Sequence, residues 1–465
     1  MNNRLKKGGA ALLAAALCIS CAACSGGNSK KSSEYTTIVV GNWPTESSME
    51  EREVYDGYVK KLQEEYPNII VKGEEYGYSP DTFLPKAAAK QLPNLYTTFF
   101  SEPQNIIKSG YARDITEYAE KYGYLDALND NLVDIVSRDG KCYGIPYLAY
   151  VMGMWYNVEL FKEAGLVDKD GVPIYPDNYD ELIDTAVQIK KKTGKAGFVM
   201  PTRDKIGGWF FLNLAWSFGA EFEKQDGDGK WRACFNSEEC ERALNYIKDL
   251  KWKYDVLPEN NLVGIDDVFK YVGTYQAAMS YGMDAHKDAP VMNYKMNKDD
   301  LSMGPVPQGP GGRCTQVGGA TWMVSNVTDD KQTDAVFKWL EIAGYSPKVT
   351  EETKKASEEK LRAKQKDGLS IITPMQQYSI WKSEEVNKQI DDLQKKYCNV
   401  KPELWKGINA DNLIIKPEEP VNCQELYALL DVAIQKVLLD KNADSKAILA
   451  EMNDKFQKTY LDKIK

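Results

Sequence analysis

The stretch "YTTIVVGNWPTESSMEEREVYDGYVKKLQEEYPNIIVKGEEY" (residues 35–76) decides the fold class. Its opening "YTTIVVGNW" is a short run of β-branched and aromatic residues ended by a turn signal, the composition of a buried strand. "SSMEEREVYDGYVKKLQEEYPN" follows, with Val54, Tyr58 and Leu62 at helical spacing behind capping serines. "IIVKGEEY" then reads as a second strand, "DTFLPKAAAK" (residues 81–90) as a helix and "LYTTFFSE" (residues 95–102) as a third strand. Strands alternating with helices build a parallel sheet, so the expected class is α/β.

The alternation restarts after residue 150. "NYDELIDTAVQIKKKTG" aligns Leu182, Ala186 and Ile189 on one helical face, and "KAGFVM" is strand-like. "SEECERALNYIKDLKWKY" aligns Leu244, Ile247 and Leu250, and "YQAAMSYG" is another strand. The Gly/Pro-rich "GPVPQGPGGRC" (residues 304–314) connects to "GGATWMVSN", a strand returning to a sheet. The end is helical, with Leu426, Leu429, Leu430, Ala433 and Val437 on one stripe of "NCQELYALLDVAIQKVLLD". Two α/β lobes with a helical C-terminal part are expected. The charged run "TEETKKASEEKLRAKQKDG" (residues 350–368) reads as a solvated helix or surface insertion, and no tandem repeat is visible.

Ahead of the first strand, Arg4, Lys6 and Lys7 precede an apolar run over residues 10–19 and then small residues, the layout of a secretory signal. Cys18, Cys21 and Cys24 have the C-x-x-C-x-x-C spacing of iron–sulfur ligands, but a processed leader offers no folded cradle for a cluster. "CAAC" before "SGG" resembles the lipobox of bacterial lipoproteins. The resemblance implies lipidation at Cys24, with Cys21 the alternative, and several acyl chains would give a stable anchor. The polar "SGGNSKKSSE" (residues 25–34) reads as a tether. No metal site and no cofactor is expected.

Removing the leader leaves about 440 residues, enough for two or three domains. The net charge of −9, with both signs mixed along the chain, argues against a nucleic-acid partner. A single histidine, His286, disfavours histidine-based metal or triad chemistry. Beyond the leader lie Cys142, Cys234, Cys240, Cys314, Cys398 and Cys423; a local Cys234–Cys240 bridge and free thiols are both compatible with their spacing. With 28 Tyr and 10 Trp the chain is 11% aromatic, and any ring that is not core needs a role.

Taken in order, the leader, "GNW", "SGYARDITEY", "CYGIPYLAYVMGMWYNVELFKEAGL" (residues 142–166), "YPDNYDEL", "YQAAMSYG" and "GGATWMVSN" resemble the family 1 extracellular solute-binding proteins, the sugar-binding group that includes maltose-binding protein. The resemblance runs from residue 36 to the end and is weakest over 346–420. It implies a type II two-lobed binding-protein fold, with a ligand cleft between the lobes that closes by hinge motion. The N-terminal lobe would hold residues 35–147 plus about 301–345, and the C-terminal lobe 148–300 plus about 346–465. Crossings would fall near Tyr147 to Tyr150, near Leu301 to Pro307, and after Gly344. It also implies a monomeric, non-enzymatic receptor that is exported and lipid-anchored to the outer face of the cell membrane. Such a receptor would hand an oligosaccharide to the permease subunits of an ABC importer.

Sugars present apolar C–H faces and hydroxyl rims, so aromatic rings beside acidic or amide groups at loop tips mark candidate contacts. Trp43 and Glu46 follow the first strand. Ser101 and Glu102 end the third, where the family usually carries Asp. Tyr147 and Tyr150 lie in the hinge segment, and Trp209 in "KIGGWFF" matches the region of a stacking aromatic. Tyr281 and Asp284 end the strand "AAMSYG", and Trp322 follows two glycines. For each ring, packing within its own lobe is the competing role. Two rival functions remain open at this level. A surface-anchored glycoside-active enzyme would also need two carboxylates in an aromatic cleft. The same fold could instead bind a peptide, a polyamine or another non-sugar solute.

Overall fold

In a computed structural model of the chain, which describes residues 35–46, 48–375 and 378–464, the opening alternation folds as expected. Strand Thr36–Val40 pairs in parallel with Ile69–Gly73 on one side and with Leu95–Phe99 on the other. Helix Met49–Glu65 crosses between the first two and buries Tyr55, Tyr58 and Leu62, a spacing of three and four that faces one side of a helix. Against those rings lies Trp339 of helix Asp330–Ile342, which itself opens with a capping box between Asp329 and Gln332. The predicted leader, tether and Cys24 lie outside the described residues.

The long strand Arg313–Val324 completes this first sheet. It runs antiparallel to Leu95–Phe99 and to Gly144–Val151, and its first residues pair in parallel with Leu413–Lys416. A second sheet holds Gly153–Asn157 at its centre, antiparallel to Leu301–Gly304 and to Ala277–Gly282, which pairs in parallel with Ala196–Phe198. One helix in the second core, Ile206–Ser217, is buried on nearly every side, as its composition "IGGWFFLNLAWS" requires. It packs beside Glu238–Trp252 and Cys423–Leu439, and Ser445–Thr459 packs on those two in turn.

The crossings between sheets differ in place from the expectation. Val151 still pairs with Val317 in the first sheet, and Gly153 already pairs with Gly282 in the second, so the chain crosses at Met152 rather than at Tyr147 to Tyr150. Met152 is held there on both sides: its N–H donates to Gln316 O at 3.0 Å and its carbonyl accepts from Thr315 Oγ1 at 2.6 Å. Leu301–Gly304 belongs to the second sheet, because its register with Gly153–Asn157 buries Leu301 and Met303 there; the return crossing follows it.

The charged run is the helix Glu351–Lys366, and it is not a detached insertion. It buries Ala356 against helix Met49–Glu65, with Tyr58 Oη donating to Ala356 O at 3.0 Å, and Lys360 Nζ stands 3.6 Å from the ring centre of Tyr345. Trp381 and Val386 join the same core. Ala356, Trp381 and Val386 therefore belong to the first lobe, while Ile372 between them is buried in the second with Trp155 and Met303. The apolar positions are few enough among "EETKKASEEKLRAKQK" that the run reads as solvated. Cys234 and Cys240, like the other four cysteines past the leader, are free thiols.

Candidate functional site

Between the strand ends of the two sheets lies a cavity of about 430 Å³. One wall comes from the first sheet: Phe99 at the end of its strand, Ser101 just beyond it, Tyr150 near the crossing, and Gly319. The facing wall comes from helix Ile206–Ser217 with Trp209 and Phe210, from Met283 after strand Ala277–Gly282, and from Glu418, Gln424 and Tyr427. Carboxyl ends of strands are where open α/β sheets leave room for ligands, since the connecting helices turn away on both sides. Phe99 keeps 46% of its surface exposed, which leaves its ring available at the cavity.

Two polar contacts span the walls. Lys205 Nζ lies 3.2 Å from Asp81 Oδ1, and Gln424 Nε2 donates to Ser101 Oγ at 3.3 Å. Deeper in, Ser101 Oγ donates to Glu102 Oε1 at 3.0 Å and Tyr78 Oη donates to Glu102 Oε2 at 2.7 Å, which orients this buried carboxylate. Opposite, Tyr427 Oη donates to Glu418 Oε2 at 2.7 Å. Burial pushes the Glu418 carboxyl up to about 7, and the charge of Glu102 adds to this while the Tyr427 hydroxyl opposes it. His286, also at the cavity, is pushed down from its ordinary value by burial. Among the described residues no group of three or more His, Cys, Asp or Glu is placed to hold a metal ion.

The candidate residues separate into two sets. Ser101, Tyr150 and Trp209 line the cavity. Tyr150 does so because Gly318 lacks a Cβ; one added there would come within 2.6 Å of the tyrosine ring. Trp43 does not line it: its ring stacks on Trp339 at 5.6 Å and meets Tyr55 edge-on at 5.0 Å, inside the first lobe. Glu46 stands exposed on the following turn. Trp322 is 2% exposed and points away from the cavity to pack on Tyr147 and Tyr345. Tyr147 is drawn into the same aromatic cluster. Tyr281 is buried in the second core, its hydroxyl 2.8 Å from that of Tyr179. Asp284 opens a short 3-10 turn beside the cavity, half-buried, with burial raising its carboxyl and Lys287 opposing. Glu102 sits behind Ser101 rather than in the wall. These rings share one cause: a residue at a strand end has two faces available, and the lobe's own core claims the inward one.

Gln424 and Tyr427 escaped sequence reasoning because helix Cys423–Leu439 shows chiefly its apolar stripe, and Glu418 because it stands in the loop before that helix. A second, polar stripe runs along it at Gln424, Asp431 and Gln435, spaced seven and four, and that spacing is the signal that marks this face as contacting something polar.

The profile described as "Bacterial extracellular solute-binding protein" matches residues 46–344. The chain belongs to that family. Among relatives of this solute-binding protein, an arabinooligosaccharide-binding protein of Halalkalibacterium halodurans is 22% identical over 64% of this chain and 66% of its own length. The putative periplasmic-binding protein YcjN of Escherichia coli is 25% identical over 47% of this chain and 50% of its own. Three Brucella binding proteins, 34% identical, align over 90 residues, so the match spans about a fifth of their length. The fold is that of the GacH receptor of Streptomyces glaucescens, solved without ligand and with acarbose (TM-score 0.68, 18% identity, 92% of this chain and 99% of that one). It is also that of maltose-bound MalE3 of T. maritima (TM-score 0.66, 17% identity, 91% and 99%). Both are two-lobed binding proteins, as the segment order implied.

On the far side of the loop that carries Glu418, Glu419 Oε1 accepts from Trp216 Nε1 at 3.1 Å and Glu223 Oε2 accepts from Val421 N at 3.2 Å. Glu223 Oε1 is buried with no partner. Burial, then the charge of Glu419, pushes the Glu223 carboxyl from 4.5 up to about 9, and burial pushes Glu419 up to about 7. The folded chain thus holds these protons more tightly than the unfolded one, so stability is lost as pH rises from the unfolded value through the folded ones. Unfolding free energy is expected to fall between about pH 5 and about pH 9, and Glu223→Gln to gain ~1 kcal/mol over the parent at the upper end. Equal pH profiles from denaturant titrations of both proteins would remove Glu223 from this role.

Proposed function

We propose that this chain is the substrate-binding lipoprotein of an ABC importer, capturing an oligosaccharide between its lobes and delivering it to the permease. The observation that carries the reading is the cavity wall: Phe99, Tyr150 and Trp209 offer rings to C–H surfaces while Glu418, Gln424 and Ser101 offer acceptors and donors to hydroxyls. Relatives named for arabinooligosaccharides and a fold shared with acarbose- and maltose-bound receptors support the same ligand class. The lobe boundaries follow the crossings at Met152 and after Gly304, and rotation about these segments would close the cavity over the sugar. Anchoring falls to Cys24 at the end of the leader. Cys24→Ala is expected to release the protein from the membrane fraction, and retention would move the lipid to Cys21.

The test is a melting screen of residues 35–465 against neutral mono- and oligosaccharides, peptides, polyamines and phosphorylated solutes. A ligand present at about 100 times its Kd adds roughly 2.7 kcal/mol to the folded state, a shift that melting curves resolve. One glycan series is expected to raise the transition, with the glycan recovered intact. Silence across sugars with a response to another class would keep the family and overturn the ligand, and cleavage of the glycan would overturn the receptor reading.

A further inference from the structure

Helix Ile206–Ser217 delivers Trp209 and Phe210 to the cavity, yet its own sequence supplies no cap. The residue before it, Lys205, sits at φ 67° with no side-chain bond to the first turn. That region disfavours any residue carrying a Cβ, so something outside the segment must hold it. The holder is Asp431, from the middle of helix Cys423–Leu439 and 5% exposed. Its Oδ2 accepts from Lys205 N at 2.6 Å and its Oδ1 from Gly208 N at 2.7 Å. Two donors that a helix start leaves orphaned are thereby satisfied by one buried carboxylate from another helix. The approach is close enough that a Cβ on Gly208 would stand 2.3 Å from Tyr427 O. On the same face of the capping helix, Gln435 Nε2 donates to Thr202 O at 2.7 Å, while Gln424 and Tyr427 enter the cavity.

We propose that Asp431 is a positioning residue for ligand binding: by capping helix Ile206–Ser217 across the helix interface it sets the placement of Trp209 and of the Lys205 ammonium at the cavity wall. The inference rests on the saccharide reading for its affinity measurement and on the cap geometry alone for the rest. The cap needs the ionised carboxylate, because a protonated one has a single good acceptor for two N–H groups. The charged groups facing it are Asp204 and Lys205 on the capped segment; Arg203 pairs with both Asp204 and Asp267, and Lys205 also faces Asp81 and Glu425. Burial first, and Asp204 in addition, push the Asp431 carboxyl up to about 6, against the two backbone donors that favour its charge. The cap is therefore complete above that value and weakens as pH falls through it.

The experiment compares Asp431→Asn with the parent. In ligand-free protein at pH 7.5, the Lys205 and Gly208 amides are expected to exchange with solvent faster in the variant. The variant's Kd for the saccharide found in the screen is expected to be about tenfold higher than the parent's at pH 7.5, the size of a lost helix cap, and within about twofold at pH 5, where the parent's own cap is protonated. A Kd ratio near one at both pH values, or a ratio that does not change with pH, would overturn the inference even if exchange quickens. Other titrating groups, Glu418 among them, are common to both proteins and cancel in the ratio. Should Asp431→Asn fail to fold, exchange at the two amides in the parent between pH 5 and 7.5, corrected for intrinsic rates, must slow as pH rises; otherwise the inference falls. Absence of saccharide binding by the parent is a separate failure, that of the sugar reading, and shows before any variant is made.

Discussion

Trp339→Ala is expected to cost ~3–5 kcal/mol of unfolding free energy, the range for removing a fully buried tryptophan from a packed core. Its ring is 1% exposed and lies at the junction of three others, 5.6 Å from Trp43, 6.1 Å from Tyr55 and 6.3 Å from Tyr58. Those neighbours come from the loop after the first strand and from helix Met49–Glu65, so the indole fastens an element near the start of the chain to one almost three hundred residues later. Because the ring touches no cavity residue, saccharide affinity measured well below the melting point is expected to stay within about twofold of the parent. Denaturant titration checks the first part and calorimetric binding the second. A loss below ~1 kcal/mol would mean that the cluster repacks around the gap.

The second large effect is a contrast between two tryptophans that the sequence presents alike. Trp209→Ala is expected to weaken saccharide binding by at least ~1 kcal/mol through the lost ring face, with a small change in melting, because the ring is only half-buried. Trp322→Ala is expected to do the reverse, costing ~3 kcal/mol of stability and leaving affinity within about twofold. Its indole Nε1 is buried without a partner, so part of the loss is offset by removing that unsatisfied donor. Equal losses of affinity in both variants would place Trp322 in the cleft after all and undo the assignment of walls.

The comparison of these two residues shows what was legible. Element types and order could be read because periodicity is local: Tyr58 and Leu62, or Leu182, Ala186 and Ile189, announce a helix whatever surrounds it. The parallel pairing of the first three strands follows from the same alternation. Which face of a strand end looks into the cleft is a tertiary property. Trp322 and Gly319 lie three residues apart on one strand, so alternation sets them on opposite faces, and only the packing of the lobes decides which face looks into the cavity and which into the core. Glu418 was harder still, since it comes from the segment where family resemblance fades, and Tyr427 lies on an apolar helix that hides its polar face. The return of helix Glu351–Lys366 to the first lobe is invisible locally, because Ala356 is an ordinary helix former until Tyr58 is placed against it.

Both cores close late. The first needs Trp322, Trp339 and Trp381 before its opening strand is covered, and the second needs Phe456 against Phe235 and Leu461 beyond it. A chain made N-terminus first therefore covers its first core only once residues 381–386 exist, and its second only when the final helix has been made. Contacts of such long sequence separation form slowly. This topology acts as a timer: it leaves the polypeptide pliable while it is being made and lets neither lobe consolidate before most of the sequence is available.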